Sequence, residues 1–396
     1  MWQPAGIDSI DNRQPADAGA RPFRRLVSGC LKLCTLLSIL LCALSLSACS
    51  SLGYYAQAAH GQFSLLAQSR PIDDWLADPQ TPEPLKKKLR EVQRMRRFAV
   101  RELALPDNDS YTGYAQLQRP FVLWNVVAAP ALSLTARQWC FPIAGCVNYR
   151  GYYHQQAALD YAAQLRREGD DVQVLGVPAY STLGWFNDPV ISTFIGYPDA
   201  ELARLVFHEL AHQKFYVKDD SDFNESFATA VESAGVARWL QENGNPEQEK
   251  IYREYEARKH DFLDLLLRRR AELAQIYASS ASDEEKLQRK AAVFDALRAD
   301  YQVLKQQRWG GYTGYDRWFA SPLSNAHLAL VATYHDLEPG FEALLRQYPD
   351  FNQFYAKVRA LGALDKAARH RALHSLAEDD KNACPDGVCR DSIVKQ

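Results

Sequence analysis

The segment Leu205-Val206-Phe207-His208-Glu209-Leu210-Ala211-His212-Gln213 constrains the fold more than any other stretch of the chain. A helix turns about 100° per residue, so residues four apart sit one turn along and only about 40° from eclipsed. His208 and His212 can therefore turn both imidazoles toward one ion. Glu209 lies one step round the helix, within reach of a water on that ion without being a ligand. Leu202, Leu205, Val206, Leu210 and Ala211 make the surroundings apolar, which predicts a buried helix. Buried polar atoms need partners, and a metal would supply one. Two core histidines satisfied by hydrogen bonds are the alternative.

A catalytic zinc site needs three protein ligands and one open position. The turn Lys218-Asp219-Asp220-Ser221 leads into a second helix, where Glu225 falls on the first turn and faces back toward the histidines. Glu225 is the expected third ligand. Glu232, seven residues later on the same face, is expected to accept a histidine N–H. A salt bridge from Glu232 to Arg238 or Lys214 is the competing reading. Asp219, Asp220 and Asp222 read as solvated turn and cap residues.

The first 48 residues read as an address. Arg21, Arg24, Arg25 and Lys32 precede an uncharged run from Leu33 to Ala48, which is shorter than the roughly 20 residues of a bilayer span. The run ends in Leu46-Ser47-Ala48-Cys49, which resembles the lipobox of bacterial lipoproteins, whose cysteine is acylated. Ser50 resembles outer-membrane sorting in lipoproteins of Gram-negative bacteria. The expectation is a lipid anchor at Cys49, with the chain at the outer membrane facing the periplasm; an uncleaved signal anchor is the alternative. In an oxidising compartment Cys140, Cys146, Cys384 and Cys389 suggest Cys140–Cys146 and Cys384–Cys389 disulfides, with a four-cysteine zinc site as the rival. Lys and Arg total 46 against 48 Asp and Glu, so the basic excess of a nucleic-acid binder is missing, and no nucleic-acid partner is expected.

Periodicity organises the remainder. Helical patterns cover 53–68, 84–103, 155–168, 199–216 and 222–242, while 120–135 and 172–177 read as strands. Residues 246–308 form a charged, heptad-like helix pair broken near Ser279-Ser280-Ala281-Ser282, and 322–377 are helical with Pro339-Gly340 and Pro349-Asp350 as stops. The predicted class is α+β, predominantly helical, with a small sheet in the N-terminal half and a helical C-terminal half. The expected parts are a leader (1–48), a catalytic part (49–242), a charged hairpin (243–310), a C-terminal helical part (311–378) and a tail (379–396).

The His208–Glu225 arrangement resembles the gluzincin metallopeptidases, the thermolysin-like clan, although only 12 residues separate His212 from Glu225. Three ordered blocks are similar to a bacterial family named putative aminopeptidase: Trp139–Tyr153, Ala179–Phe186 and His208–Glu232. The resemblance implies a zincin-like fold, a Zn2+ ion and a peptide substrate. Glu209 would be the general base. An oxyanion donor is then needed, from among Tyr334, His335, Tyr312, Tyr315 and Tyr216; in zincins of this type it tends to come from the C-terminal helical part, which favours Tyr334. Asn325 and His327 could face the cleft instead. The Tyr180–Phe186 segment could run along the substrate as an edge or be an ordinary aromatic loop. Arg150 could meet a substrate carboxylate or form a structural ion pair. A catalytically silent envelope lipoprotein, with the charged hairpin as a partner surface, is the alternative function.

Overall fold

The computed structural model describes residues 52–142 and 144–383. The chain divides into two units, Met1–Ala59 and His60–Gln396. In the first, residues 52–59 are helical. The expected leader with its lipobox-like end, and the expected Cys384–Cys389 pair, lie outside the described residues. No helix among the described residues is long and apolar enough to cross a membrane.

The second unit is predominantly helical with small sheets. It opens with helix α1 (60–67) and the short helix α2 (Ile72–Ala77). The longest strands form where the sequence is richest in apolar β-branched residues. β3 (Leu123–Pro130) is the centre of a three-stranded sheet, paired antiparallel with β6 (Arg150–Tyr152) and with β7 (Asp170–Val177). The β3–β7 register runs from Leu123 opposite Val177 to Pro130 opposite Asp170. Helix α4 (Gln155–Arg167) buries Ala158, Ala162 and Leu165, a single apolar stripe at helical spacing.

A second sheet joins three very short strands that periodicity does not reveal: β1 (Ser69–Pro71), β2 (Gly113–Ala115) and β8 (Val190–Ile191), with β2 and β8 parallel. The third is a hairpin of β4 (Trp139–Phe141) and β5 (Gly145–Val147), in which Cys140 and Cys146 are register partners joined by a disulfide. Gly145 sits there at φ +75°, a conformation that favours glycine, and a Cβ would run into Asp219.

The core gathers around α5 (Asp199–Lys214) and α6 (Ser221–Asn243). Helix α3 (Glu83–Leu103) lies against α5, with Phe98 stacked on Phe207 at 5.9 Å and edge-on to Trp239 at 5.2 Å. Gly235 of α6 permits this close approach, since a Cβ there would stand 2.7 Å from Leu103 and 2.9 Å from Phe207.

Helices α7 (Pro246–Ala278) and α8 (Asp283–Gln307) form the charged hairpin, broken where the serine-rich segment predicted. A capping box between Asn245 and Gln248 starts α7. The hairpin has its own core with α9 (Asp316–Ala320), in which Tyr315 stacks on Phe262 at 4.0 Å. α10 (Asn325–His335), α11 (Glu338–Gln347), α12 (Phe351–Gly362) and α13 (Lys366–Ala383) complete the chain. Asp350 caps α12, as a stop at Pro349-Asp350 requires, but Pro339 does not end a helix. It occupies the first turn of α11, where the missing amide proton costs nothing.

Candidate metal centre

Local sequence explains why the two central helices meet as they do. Asp199 and Glu201 suit the positive N-terminal end of α5, and Lys88 anchors that end by donating to Asp199 Oδ1 and to the Tyr197 carbonyl, each at 2.6 Å. Phe215 is extended at φ −157° and ends the helix. Asn224 then acts as a backbone mimic in the turn: its Oδ1 accepts from Val217 N–H at 2.8 Å and its Nδ2 donates to the Val217 carbonyl at 2.7 Å. This closes the turn onto the first turn of α6 and sets Glu225, the next residue, against α5.

Asp220 caps α6, its side chain accepting from Phe223 N–H. It is not the solvated residue that the turn composition suggested. It is 1% exposed and faces Lys366 at 3.5 Å, Arg369 at 3.4 Å and His370 at 2.9 Å. Burial works to raise the Asp220 carboxyl, but the hydrogen bond from His370 and the surrounding positive charge hold it below the usual range. Asp219, at φ +65°, accepts from Cys146 N–H at 2.7 Å and ties the disulfide hairpin to the turn.

His208, His212 and Glu225 come together. The two Nε2 atoms are 3.1 Å apart, and Glu225 Oε2 lies 3.4 Å from the first and 3.6 Å from the second. Among the described residues this is the one group of three His, Cys, Asp or Glu side chains arranged to hold an ion. Donors about 2.0–2.1 Å from a tetrahedral zinc stand about 3.3–3.4 Å from one another, so the triangle fits. Charge fits as well. Glu209, Glu225 and Glu232 are buried, and the neighbouring cations Arg204 and Lys259 are shared with further carboxylates, Glu201 for the first and Glu256 and Glu338 for the second. A buried surplus of negative charge beside two imidazoles calls for a cation.

Glu232 reaches the far side of His208, with Oε2 2.8 Å from Nδ1. Its ion-pair partner is neither Arg238 nor Lys214: Arg204 donates to both carboxylate oxygens at 3.2 Å. Arg238 is turned away over Phe351 and Lys214 over Tyr355. Arg204 escaped the sequence reading, yet it stands four residues before His208, one turn up the same face. Burial would raise the carboxyl of Glu232, but Arg204 and His208 bring it down to about 2. Burial likewise opposes ionisation of Glu225, and the histidine pair holds it well below the carboxylate range. His208 shows the converse: burial disfavours its charge, but Glu225 and Glu232 raise its pKa to about 10. Glu209 differs from both carboxylates, because burial outweighs the two histidines and its pKa is raised. Glu225 and Glu232 are thus held low by their cationic neighbours, while burial raises Glu209.

A cavity of about 280 Å³ reaches one member of the group, His208, and is lined also by Pro178, Glu209, Thr229, Glu232, Lys259 and His335. The Tyr180–Phe186 segment is a loop. It is fastened by Asp188, whose carboxylate accepts from Thr182 N–H at 2.9 Å, Thr182 Oγ1 at 2.7 Å and Gln213 Nε2 at 3.1 Å. Gln213 directly follows His212, so the loop and α5 share one brace. Burial lifts the Asp188 carboxyl to about 6 despite these three donors.

The remaining candidates are dispersed. The side chain of Tyr334 lies outside the described residues. His335 reaches the cavity and holds Glu338 at 2.5 Å. Tyr216 donates to the Ala144 carbonyl, and Tyr312 and Tyr315 belong to the aromatic core of the charged hairpin. Asn325 and His327 do not face the cleft. Asn325 is fully buried and donates to the carbonyls of Pro130 and Ala131, and His327 is buried among Ser321 and Ser324, with its pKa lowered to about 4 by burial. Arg150 lies over the rings of Tyr161 at 4.6 Å and Tyr152 at 5.7 Å.

Fold and geometry together define a predominantly helical α+β chain with a buried His-His-Glu group on adjoining helices. The chain belongs to the family described as Putative aminopeptidase, whose model matches residues 53–373. No curated protein and no solved structure matches it.

Proposed function

We propose that this chain is a zinc-dependent peptidase, with aminopeptidase activity as the family description suggests. The observation that carries the reading is the triangle of His208 Nε2, His212 Nε2 and Glu225 Oε2, with buried Glu209 beside it on the same helix. In it His208, His212 and Glu225 hold the ion, and Glu232 orients His208. A zinc ion bound there would polarise a peptide carbonyl and make water acidic enough to attack near neutral pH. Glu209 takes the proton of the attacking water and passes it to the amine nitrogen as the C–N bond breaks, which leaves a free carboxylate and a free amine. Tyr334 is the proposed hydrogen-bond donor to the oxygen that becomes negative during attack. The leader supports a further part of the reading: acylation of Cys49, and attachment to the outer membrane on its periplasmic side.

The test is elemental analysis of the purified protein beside a panel of fluorogenic aminoacyl substrates. One zinc per chain, absent from His212→Ala, with cleavage that a chelator stops and zinc restores, is the expected result. Wild-type protein that binds no zinc when supplied, or cleavage indifferent to chelation, would end the proposal.

A further inference from the structure

Two long segments of the chain carry no charged residue. There is no Asp, Glu, Lys or Arg between Lys32 and Arg70, and none between Asp171 and Asp188, although 24% of the chain is charged. The second unit brings these segments together: Phe63 of α1 meets Phe186 edge-on, with ring centroids 6.2 Å apart. Both rings stand in solvent, Phe63 at 61% exposure and Phe186 at 38%, and the neighbouring Trp185 is 66% exposed. Single exposed apolar residues are ordinary, but three large aromatics supplied by two uncharged segments mark an interaction surface.

The backbone that carries Trp185 and Phe186 is fixed. Leu183 at φ +56° and Gly184 at φ +81° turn the loop through left-handed backbone, which is costly for a leucine. Trp185 N–H donates to the Thr182 carbonyl at 3.0 Å and Phe186 N–H to Thr182 Oγ1 at 3.1 Å, and Asp188 fastens Thr182 in turn. What lies near this surface follows from the chain before it. The apolar run from Leu33 to Ala48 ends at Cys49, and an acylated Cys49 or an uncleaved signal anchor would equally place a bilayer there. Phe63 follows Cys49 by 14 residues. Even a fully extended chain spans at most about 3.6 Å per residue, which keeps these rings within about 50 Å of that point. Phe and Trp suit the boundary between headgroups and acyl chains, where apolar ring bodies leave water and the indole N–H keeps polar partners.

We propose that Phe63, Trp185 and Phe186 form a membrane-docking face, seated in the interfacial layer of a phospholipid bilayer. The proposal rests on the reading that the leader attaches the chain to a membrane, and adds a contact made by the folded unit itself. The probe is a phosphatidylcholine vesicle with bromine on part of its acyl chains, mixed with the purified full-length protein. Flotation with the vesicles reports attachment, and quenching of tryptophan fluorescence by bromine reports the docked face. Among the eight tryptophans, Trp185 should supply the quenchable emission. Trp185→Phe, which keeps a ring at this exposed position, should therefore lower the quenchable emission at least twofold and leave flotation unchanged. Equal quenching in wild type and Trp185→Phe, with flotation retained, would overturn the docking face and leave attachment standing. Flotation abolished by Phe63→Glu together with Trp185→Glu, with thermal unfolding unchanged, would support the face and count against the leader as the anchor. A wild-type chain that does not float would overturn both. Unquenched wild type, with a dimer that the double substitution turns into monomers, would overturn the proposal in favour of a second copy of the chain as the occupant.

Discussion

Glu232 Oε2 lies 2.8 Å from Nδ1 of His208, so one ring nitrogen is engaged by a carboxylate that Arg204 holds in turn. With a cation bound between His208, His212 and Glu225, this contact would keep the remaining ring proton on Nδ1 and free Nε2 to act as the ligand atom.

Glu232→Gln therefore weakens zinc binding about 10- to 100-fold, the usual cost of losing an outer partner of a histidine ligand. Competition with a chromophoric chelator measures it. Unchanged affinity would mean that Glu232 serves only to satisfy Arg204.

Glu209→Gln should keep one zinc per chain, because the side chain lines the cavity without belonging to the His208–His212–Glu225 group. Peptide hydrolysis should fall about 10²- to 10⁴-fold, the range for removal of a general base. Full cleavage by this variant would assign the proton transfer to another group.

Asp188 carries a pH dependence. Its carboxyl is raised to about 6 in the folded chain, against 3.8 ordinarily. The folded state binds the proton more tightly, so this group's stabilising contribution is present below pH about 4 and is lost as pH rises through 6. Asp188→Asn puts an N–H donor where three donors converge and so loses stability at pH 4. Because Asn cannot ionise, the deficit should shrink by about 2 kcal/mol at pH 7. Urea unfolding of the metal-free proteins at both pH values checks it; a constant difference would show that Asp188 does not titrate there.

Asp220→Ala removes a helix cap and leaves Lys366, Arg369 and His370 facing one another. Loss of one member of a buried ion cluster costs about 3–5 kcal/mol. Because the folded carboxyl lies below its ordinary value, its contribution holds above pH about 4 and disappears as pH falls further. Thermal unfolding at pH 7 and pH 3 should show a larger deficit for the variant at the first than at the second.

Much of the centre was legible because its signal is local. The offset of His208 and His212 is a property of any α-helix, and the polar break after Lys214 announces the turn that returns Glu225 to them. The helices around 84–103, 155–168 and 246–308 were legible for the same reason, since an apolar stripe repeats within each. Solvation of Asp220 and a cleft-facing Asn325 were misjudged because the groups that bury them, His370 and the carbonyls of Pro130 and Ala131, are distant in sequence. The β2–β8 pairing was invisible, two or three residues being too few to show a period.

The amino-acid order alone determined the helix that presents the histidine pair, the acid beside it and the turn that brings back a third donor, because all three follow from contacts within a few residues. Only the tertiary structure decided which cation restrains Glu232 and that Asp188 braces the loop against Gln213. Those outcomes depend on long-range burial, where a charge takes whichever partner the packing brings within reach of it.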